Sequence, residues 1–197
     1  MNIIVGLGNP DTEYIGTRHN IGRTIVESFA KSEKLGDFKD DKKTETLALG
    51  AEWKNKKIKM LLPNAYMNKS GKALVFLKGK KKALLDTLVI HDDLDLPLGT
   101  LKLSVGKSSG GHKGVDSVIK TVGTNEFGRL RVGISPKDSK GRAKKPIGEE
   151  KVVKFVLGKF KGDDETEIKK VIKRGVEAVV QVIERGVYEA MNEVNRS

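Results

Sequence analysis

Short apolar runs alternate with helically spaced apolar positions along the whole chain. Residues 2–5 form an apolar run that stops at Gly6-Leu7-Gly8-Asn9-Pro10, which predicts a buried strand ending in a turn. Ile21, Ile25, Val26 and Phe29 recur at helical spacing, so a helix follows Asn20. Residues 46–53 and 58–62 read as two strands joined around Asn55-Lys56, with Pro63 ending the second. Ala73, Leu74 and Leu77 place a helix at 70–77, and residues 87–90 form another buried strand. It runs into His91-Asp92-Asp93-Leu94-Asp95-Leu96-Pro97, whose polarity predicts a loop.

Leu101, Leu103 and Val105 mark a strand, Val115, Val118, Ile119 and Val122 a helix, and Leu130, Val132 and Ile134 a further strand. Residues 136–146 are rich in Lys, Gly and Ser and predict a mobile basic loop. Asp164-Glu165-Thr166-Glu167 resembles a capping box, opening the longest helix at about 164–186; the residues beyond it read as frayed or weakly helical. No repeat or linker interrupts the pattern. Strands alternating with helices predict one three-layer α/β domain over 1–197, with helices on both faces of a central sheet. The hairpin-like pair makes that sheet mixed. In such folds sites gather at the carboxyl ends of strands, where three turns fall: 6–10, 91–97 and 106–114.

Composition narrows the function. A chain of 197 residues is long enough to bury a core without staples, and with no cysteine it has no disulfide, thiol nucleophile or thiolate metal site. Neither a signal-peptide pattern nor an apolar stretch of spanning length is present, so the expected setting is the cytoplasm, away from membranes. The 38 Lys and Arg against 26 Asp and Glu give a formal charge of +12, which attracts polyanions such as nucleic acid. Aromatic residues make up only 5%, too few for a stacking platform to carry such binding.

Three histidines, His19, His91 and His112, are the only imidazoles. His19 precedes the first helix, whose N-terminus disfavours its protonated form and leaves it suited to act as a general base. Asn20 beside it is a good helix cap, which frees His19 to face a cleft. Asp92, Asp93 and Asp95 follow a buried strand; one can orient a histidine as in a triad, two can hold Mg²⁺, or all can sit in a solvated turn. The glycine-rich segment Gly106-Lys107-Ser108-Ser109-Gly110-Gly111-His112-Lys113-Gly114 opens a helix and can approach an anion, but lacks the Gly-Lys-Ser/Thr ending of a P-loop. The opening Gly6-Leu7-Gly8 lacks the third glycine of a dinucleotide fingerprint, which excludes a nucleotide-cofactor enzyme. Lys102, Lys107, Arg129, Arg131 and the cations of 137–145 can form a basic surface around the site, while Asn9, Asn20 and Asn68 are amides at turns or helix starts.

Seven stretches in order resemble the bacterial-type peptidyl-tRNA hydrolase family: Ile4-Val5-Gly6-Leu7-Gly8-Asn9-Pro10; Tyr14 with Thr17-Arg18-His19-Asn20-Ile21-Gly22; Pro63-Asn64-Ala65-Tyr66-Met67-Asn68-Lys69-Ser70-Gly71; the segment from His91 to Gly99; Gly110-Gly111-His112; Arg129-Leu130-Arg131-Val132-Gly133-Ile134; and Phe155-Val156-Leu157-Gly158. They span nearly the whole chain. The resemblance implies His19 as the catalytic base, Asp92 as the carboxylate that orients it, and Asn9 as the residue that tells a blocked peptidyl substrate from a free aminoacyl one. It implies a cleft of Tyr14, Tyr66, Met67 and Asn68 for the peptide and terminal nucleotide, and Arg131 as a holder of the tRNA end. It further implies a C-terminal helix near the cleft, a monomer, and no metal or other cofactor. The substrate is then peptidyl-tRNA, cleaved to free peptide and reusable tRNA.

This chain departs from the family pattern at four places. Lys113 stands where the family usually has Asn, and is the expected substitute contact to substrate phosphate or carbonyl. Ser104 stands where a phosphate-clamping Lys is usual, with Lys102 or Lys107 as replacements. Asp11 replaces a usual Gly, and Arg23 a usual aromatic residue. The competing functions are a catalytically weak or inactive RNA-binding relative, as among organellar splicing factors of this fold, a Mg²⁺-dependent phosphoesterase built on Asp92, Asp93 and Asp95, and a basic domain without catalysis.

Overall fold

The computed structural model describes residues 1–196. Seven strands form one mixed sheet: β1 (Asn2–Gly6), β2 (Lys39–Asp41), β3 (Thr46–Trp53), β4 (Lys56–Pro63), β5 (Thr87–Pro97), β6 (Leu101–Ser104) and β7 (Gly128–Ser135), in the order β2-β3-β4-β1-β5-β7-β6. β1 pairs in parallel with β4 and β5, and β5 with β7, whereas β2–β3, β3–β4 and β6–β7 are antiparallel. The helices are α1 (Ile21–Ser32), α2 (Lys81–Leu85), α3 (Lys113–Val122), α4 (Glu149–Val156), α5 (Asp163–Arg185) and α6 (Val187–Val194). The segment Met67–Leu77 is a 3-10 helix. The stretch read as frayed or weakly helical is a separate helix, α6, with Val187, Ala190 and Val194 buried.

Period-two alternation sends successive strand residues to opposite faces. Ile4, Met60, Leu62 and Ile90 join α1, α5 and α6 in one core, while Ile3, Val5, Leu61 and Val89 join α3 and the 3-10 helix in the other. The β3–β4 hairpin turns at Lys54 and Asn55, both at positive φ (47° and 61°), the twist that a two-residue hairpin requires. The turn therefore lies one residue earlier than Asn55-Lys56, and Lys56 opens β4.

One other expectation changes. Residues 91–97 are strand: β5 pairs with β7 from Leu88 to Asp93 and again at Pro97, with an irregularity between. The polarity there reflects side chains committed to specific partners, described below. Residues 136–146 fold into a closed turn, with Asp138 Oδ1 accepting from the amides of Lys140 and Arg142 and a bridge joining Lys137 to Ala143.

Close packing at the strand ends sets the site. Leu7 N donates to Ile90 O, and Arg23 N to Leu7 O, which docks the start of α1 on the ends of β1 and β5. A Cβ on Gly22 would run into the Ile90 carbonyl oxygen. Replacing Gly by Ala inside a helix ordinarily gains up to about 1 kcal/mol. Here the obstacle is backbone and cannot swing aside, so Gly22→Ala is expected to destabilise by about 1–3 kcal/mol, read as a lower denaturant midpoint at unchanged slope.

Candidate active site

Asp92 lies midway along β5 and is 2% exposed. Its Oδ1 is 2.8 Å from His19 Nδ1 and 2.9 Å from His112 Nε2. A carboxylate only accepts, so both rings donate to one oxygen. His112 Nδ1 in turn accepts from Gly114 N (3.1 Å) and Val115 N (3.2 Å), capping α3. That places the His112 proton on Nε2. His19, by donating from Nδ1, keeps a bare Nε2. The His19 and His112 ring centroids are 5.0 Å apart.

The electrostatics follow from this arrangement. Burial pushes the Asp92 carboxyl up, but the two imidazoles outweigh it and hold the group well below the usual carboxylate range. Burial lowers the His19 pKa and Lys113 opposes its charge too, yet the charge and hydrogen bond of Asp92 prevail, so the value is raised above the usual 6.5. The carboxylate, not the helix terminus, therefore governs His19. Burial and the neighbouring His112 hold His91 well below its ordinary value. His91 donates from Nδ1 to the Asp92 carbonyl and is 1% exposed, a structural histidine.

Asn20 does not cap α1 with its side chain. Its Oδ1 accepts from Asn9 N (2.9 Å) and its Nδ2 donates to Asn9 O (3.0 Å), fixing the turn after β1 to the segment that carries His19. Asn9 Oδ1 accepts from Met67 N at 2.9 Å, which orients the amide and leaves Nδ2 uncommitted among the hydrogen bonds of the described residues. Met67 is buried; a Cβ on Gly114 would strike its sulfur, so Met67 packs under the start of α3 as a wall rather than an open contact. Tyr66 and Asn68 are exposed, and Tyr14 is partly exposed.

A cavity of about 320 Å³ opens beside the pair of imidazoles, lined by His19, Asp92 and His112, by Val152, Val153 and Val156 of α4, and by the exposed Lys113 and Lys145 at its rim. Asn9, Tyr14, Tyr66, Met67 and Asn68 do not line it. Lys113 Nζ pairs with Glu149 at 2.9 Å and Lys145 Nζ with Asp95 at 2.6 Å, both across the rim and both exposed.

The three carboxylates proposed for Mg²⁺ do not converge: Asp92 serves the imidazoles, Asp93 pairs with Arg131 (2.6 Å) and Asp95 with Lys145. His19, Asp92 and His112 do bring one ligand atom each within 4.8 Å of one another, the only such group among the described residues. Yet His112 Nδ1 faces two amide protons, so an ion at Nε2 would have to displace the ring's proton and leave an imidazolate. The donor set suits proton transfer.

Among the expected tRNA contacts, Lys102 and Lys107 are exposed, and Lys102 sits opposite Arg131 in the β6–β7 register. Arg131 is tied to Asp93 rather than free. Arg129 is 1% exposed with Nη1 donating to Ser108 O, so it belongs to the interior and not to a basic surface. Arg23, in place of an aromatic residue, is buried with its guanidinium on Pro63 O and Glu27. In the sequence His112 reads as one of three imidazoles and as part of the glycine-rich segment that opens a helix. The signal for its role was its place just before an apolar helical pattern, where a side-chain acceptor caps the first amides.

The chain is similar to known proteins over nearly its whole length. The family model for peptidyl-tRNA hydrolase matches residues 3–197. The peptidyl-tRNA hydrolase of Aquifex aeolicus is 40% identical over 202 residues, spanning 100% of this chain and 97% of that protein. That of Thermodesulfovibrio yellowstonii is 40% identical over 201 residues, spanning 100% of both. The crystal structure of peptidyl-tRNA hydrolase from Acinetobacter baumannii superposes with a TM-score of 0.86 at 31% identity, covering 99% of this chain and 94% of that one. With a match over nearly its full length in sequence and in fold, the chain belongs to the peptidyl-tRNA hydrolase family.

Proposed function

We propose that the chain hydrolyses the ester between the peptide carboxyl and the ribose hydroxyl of peptidyl-tRNA, with His19 as general base. One observation carries this reading: His19 Nδ1 is held at 2.8 Å by a buried carboxylate, which leaves Nε2 as the proton acceptor. Water loses a proton to Nε2 as its oxygen attacks the ester carbonyl. Asp92 stabilises the imidazolium that forms. The uncommitted Nδ2 of Asn9 donates to the developing oxyanion. The imidazolium then returns the proton to the departing ribose oxygen, giving free peptide and intact tRNA.

Tyr14, Tyr66, Met67 and Asn68 in this reading shape the approach for the peptide and terminal nucleotide, Met67 acting through its backbone and packing. Lys113 meets a substrate phosphate or carbonyl at the rim. Lys102, Lys107 and Arg131 meet the tRNA, supported by the +12 charge. The chain works as one domain and as a cytoplasmic monomer; no helix among the described residues is long and apolar enough to cross a membrane.

The direct test is release of peptide from N-blocked aminoacyl-tRNA by the wild-type chain in the presence of EDTA. Release supports metal-independent hydrolysis; tRNA binding without release favours the RNA-binding relative. The turn at 136–148 adds affinity in this reading, since Lys144 and Lys145 are exposed. Neutralising both is expected to reduce the slope of log affinity against log salt by about 1–2, and an unchanged slope contradicts that role.

A further inference from the structure

Arg18 immediately precedes the proposed base, yet its guanidinium turns away from the cleft. Nη1 donates to Lys159 O (3.0 Å), and Nη2 pairs with Asp164 Oδ2 at 3.3 Å. The guanidinium carbon lies 4.4 Å from the Phe155 ring centroid and 5.0 Å from that of Phe160. Its backbone N donates to Gly158 O at 3.0 Å, and Thr17 bridges to Lys159. All these partners belong to the corner between α4 and α5.

That corner is connected to the reaction centre through α4. Val152, Val153 and Val156 of α4 line the same cavity as His19, and Glu149 at the start of α4 holds Lys113. The 3-10 turn Arg18–Asn20 that carries His19 is only three residues long. It is fastened at one end by Asn20 to Asn9 and at the other by Arg18 to the α4–α5 corner.

We infer that Arg18 is a positioning residue, which sets His19 against Asp92 and makes that setting depend on where α4 lies. The inference rests on the reading of His19 as base. A planar guanidinium between two rings, with a carbonyl and a carboxylate on its edge, has a geometry that an ammonium cannot reproduce. Alignment at the base matters steeply, because a misplacement of about 1 Å can cost about 100-fold in rate. α4 lines the same cavity as His19, and Arg18 is the link that carries a shift of α4 to the base.

The test compares wild type, Arg18→Lys and Phe160→Leu for kcat and KM on N-blocked aminoacyl-tRNA, for the pH dependence of kcat/KM, and for Tm. Phe160→Leu removes one face of the clasp without altering the 3-10 turn. Both variants are expected to lower kcat about 10- to 100-fold with KM within about 3-fold, and to move the acid limb to lower pH as the Asp92 bond loosens. Arg18→Lys is expected to keep most of the thermal stability and recover little of the rate. Unchanged kcat and pH profile with only a lower Tm would overturn the inference and leave Arg18 a packing residue. An inactive wild type would instead overturn the hydrolase reading itself, so the two failures are distinct.

Discussion

Replacing His19 by Ala is expected to lower turnover of N-blocked aminoacyl-tRNA by roughly 10²–10⁴-fold while tRNA binding stays within about 3-fold of wild type. The size follows from the loss of a positioned base, whose proton transfer contributes about that factor to such reactions. Binding is spared because His19 is neither a core residue nor part of the basic surface: Lys102 and Lys107 stay exposed, and the turn is still fastened by Asn20 to Asn9. His112 cannot substitute, since its Nε2–H already donates to Asp92 and its Nδ1 accepts from two backbone amides. The comparison is of single-turnover rate and of tRNA affinity measured separately. A wild-type rate in His19→Ala would remove the mechanism.

Asp92→Asn is the second large effect, again about 10²–10⁴-fold in kcat, because an amide can neither stabilise the imidazolium by charge nor dictate which ring nitrogen carries the proton. The pH dependence separates this from simple misfolding. Asp92 is what raises His19; with it gone, burial and Lys113 both act to lower the value. The neutral form of His19 then persists to lower pH than in wild type. The acid limb therefore moves down while the rate at its plateau falls, a combination that loss of folded protein does not produce.

Much of this site can be read from residue order. Asn9 in the turn after β1, His19 in the 3-10 turn before α1 and Asp92 on β5 come together because β1 and β5 pair in parallel, and the alternation of strands and helices predicts a site near those strand ends. What was not legible depends on partners distant in sequence. Asn20 reads as a helix cap because Asn caps well, but Asn9, eleven residues earlier, offers a donor and an acceptor together and wins. The acidic run at 91–97 reads as loop because the pattern counts polarity. Its carboxylates are instead bound by imidazole, guanidinium and ammonium groups from four other segments, which lets β5 continue. The supposed capping box at 164–167 begins one residue inside the helix: α5 opens after Gly162, and Asp164 meets Arg18.

The pH dependence of kcat/KM for wild type beside Asp92→Asn tests the central claim, a histidine base controlled by a buried carboxylate, most directly. For wild type the rate is expected to rise as pH increases through a single ionisation above 6.5, since raising the His19 value keeps its protonated, inactive form present to higher pH. For Asp92→Asn that ionisation is expected at lower pH. A wild-type rate that is flat through this range, or an ionisation unmoved by Asp92→Asn, would contradict the account.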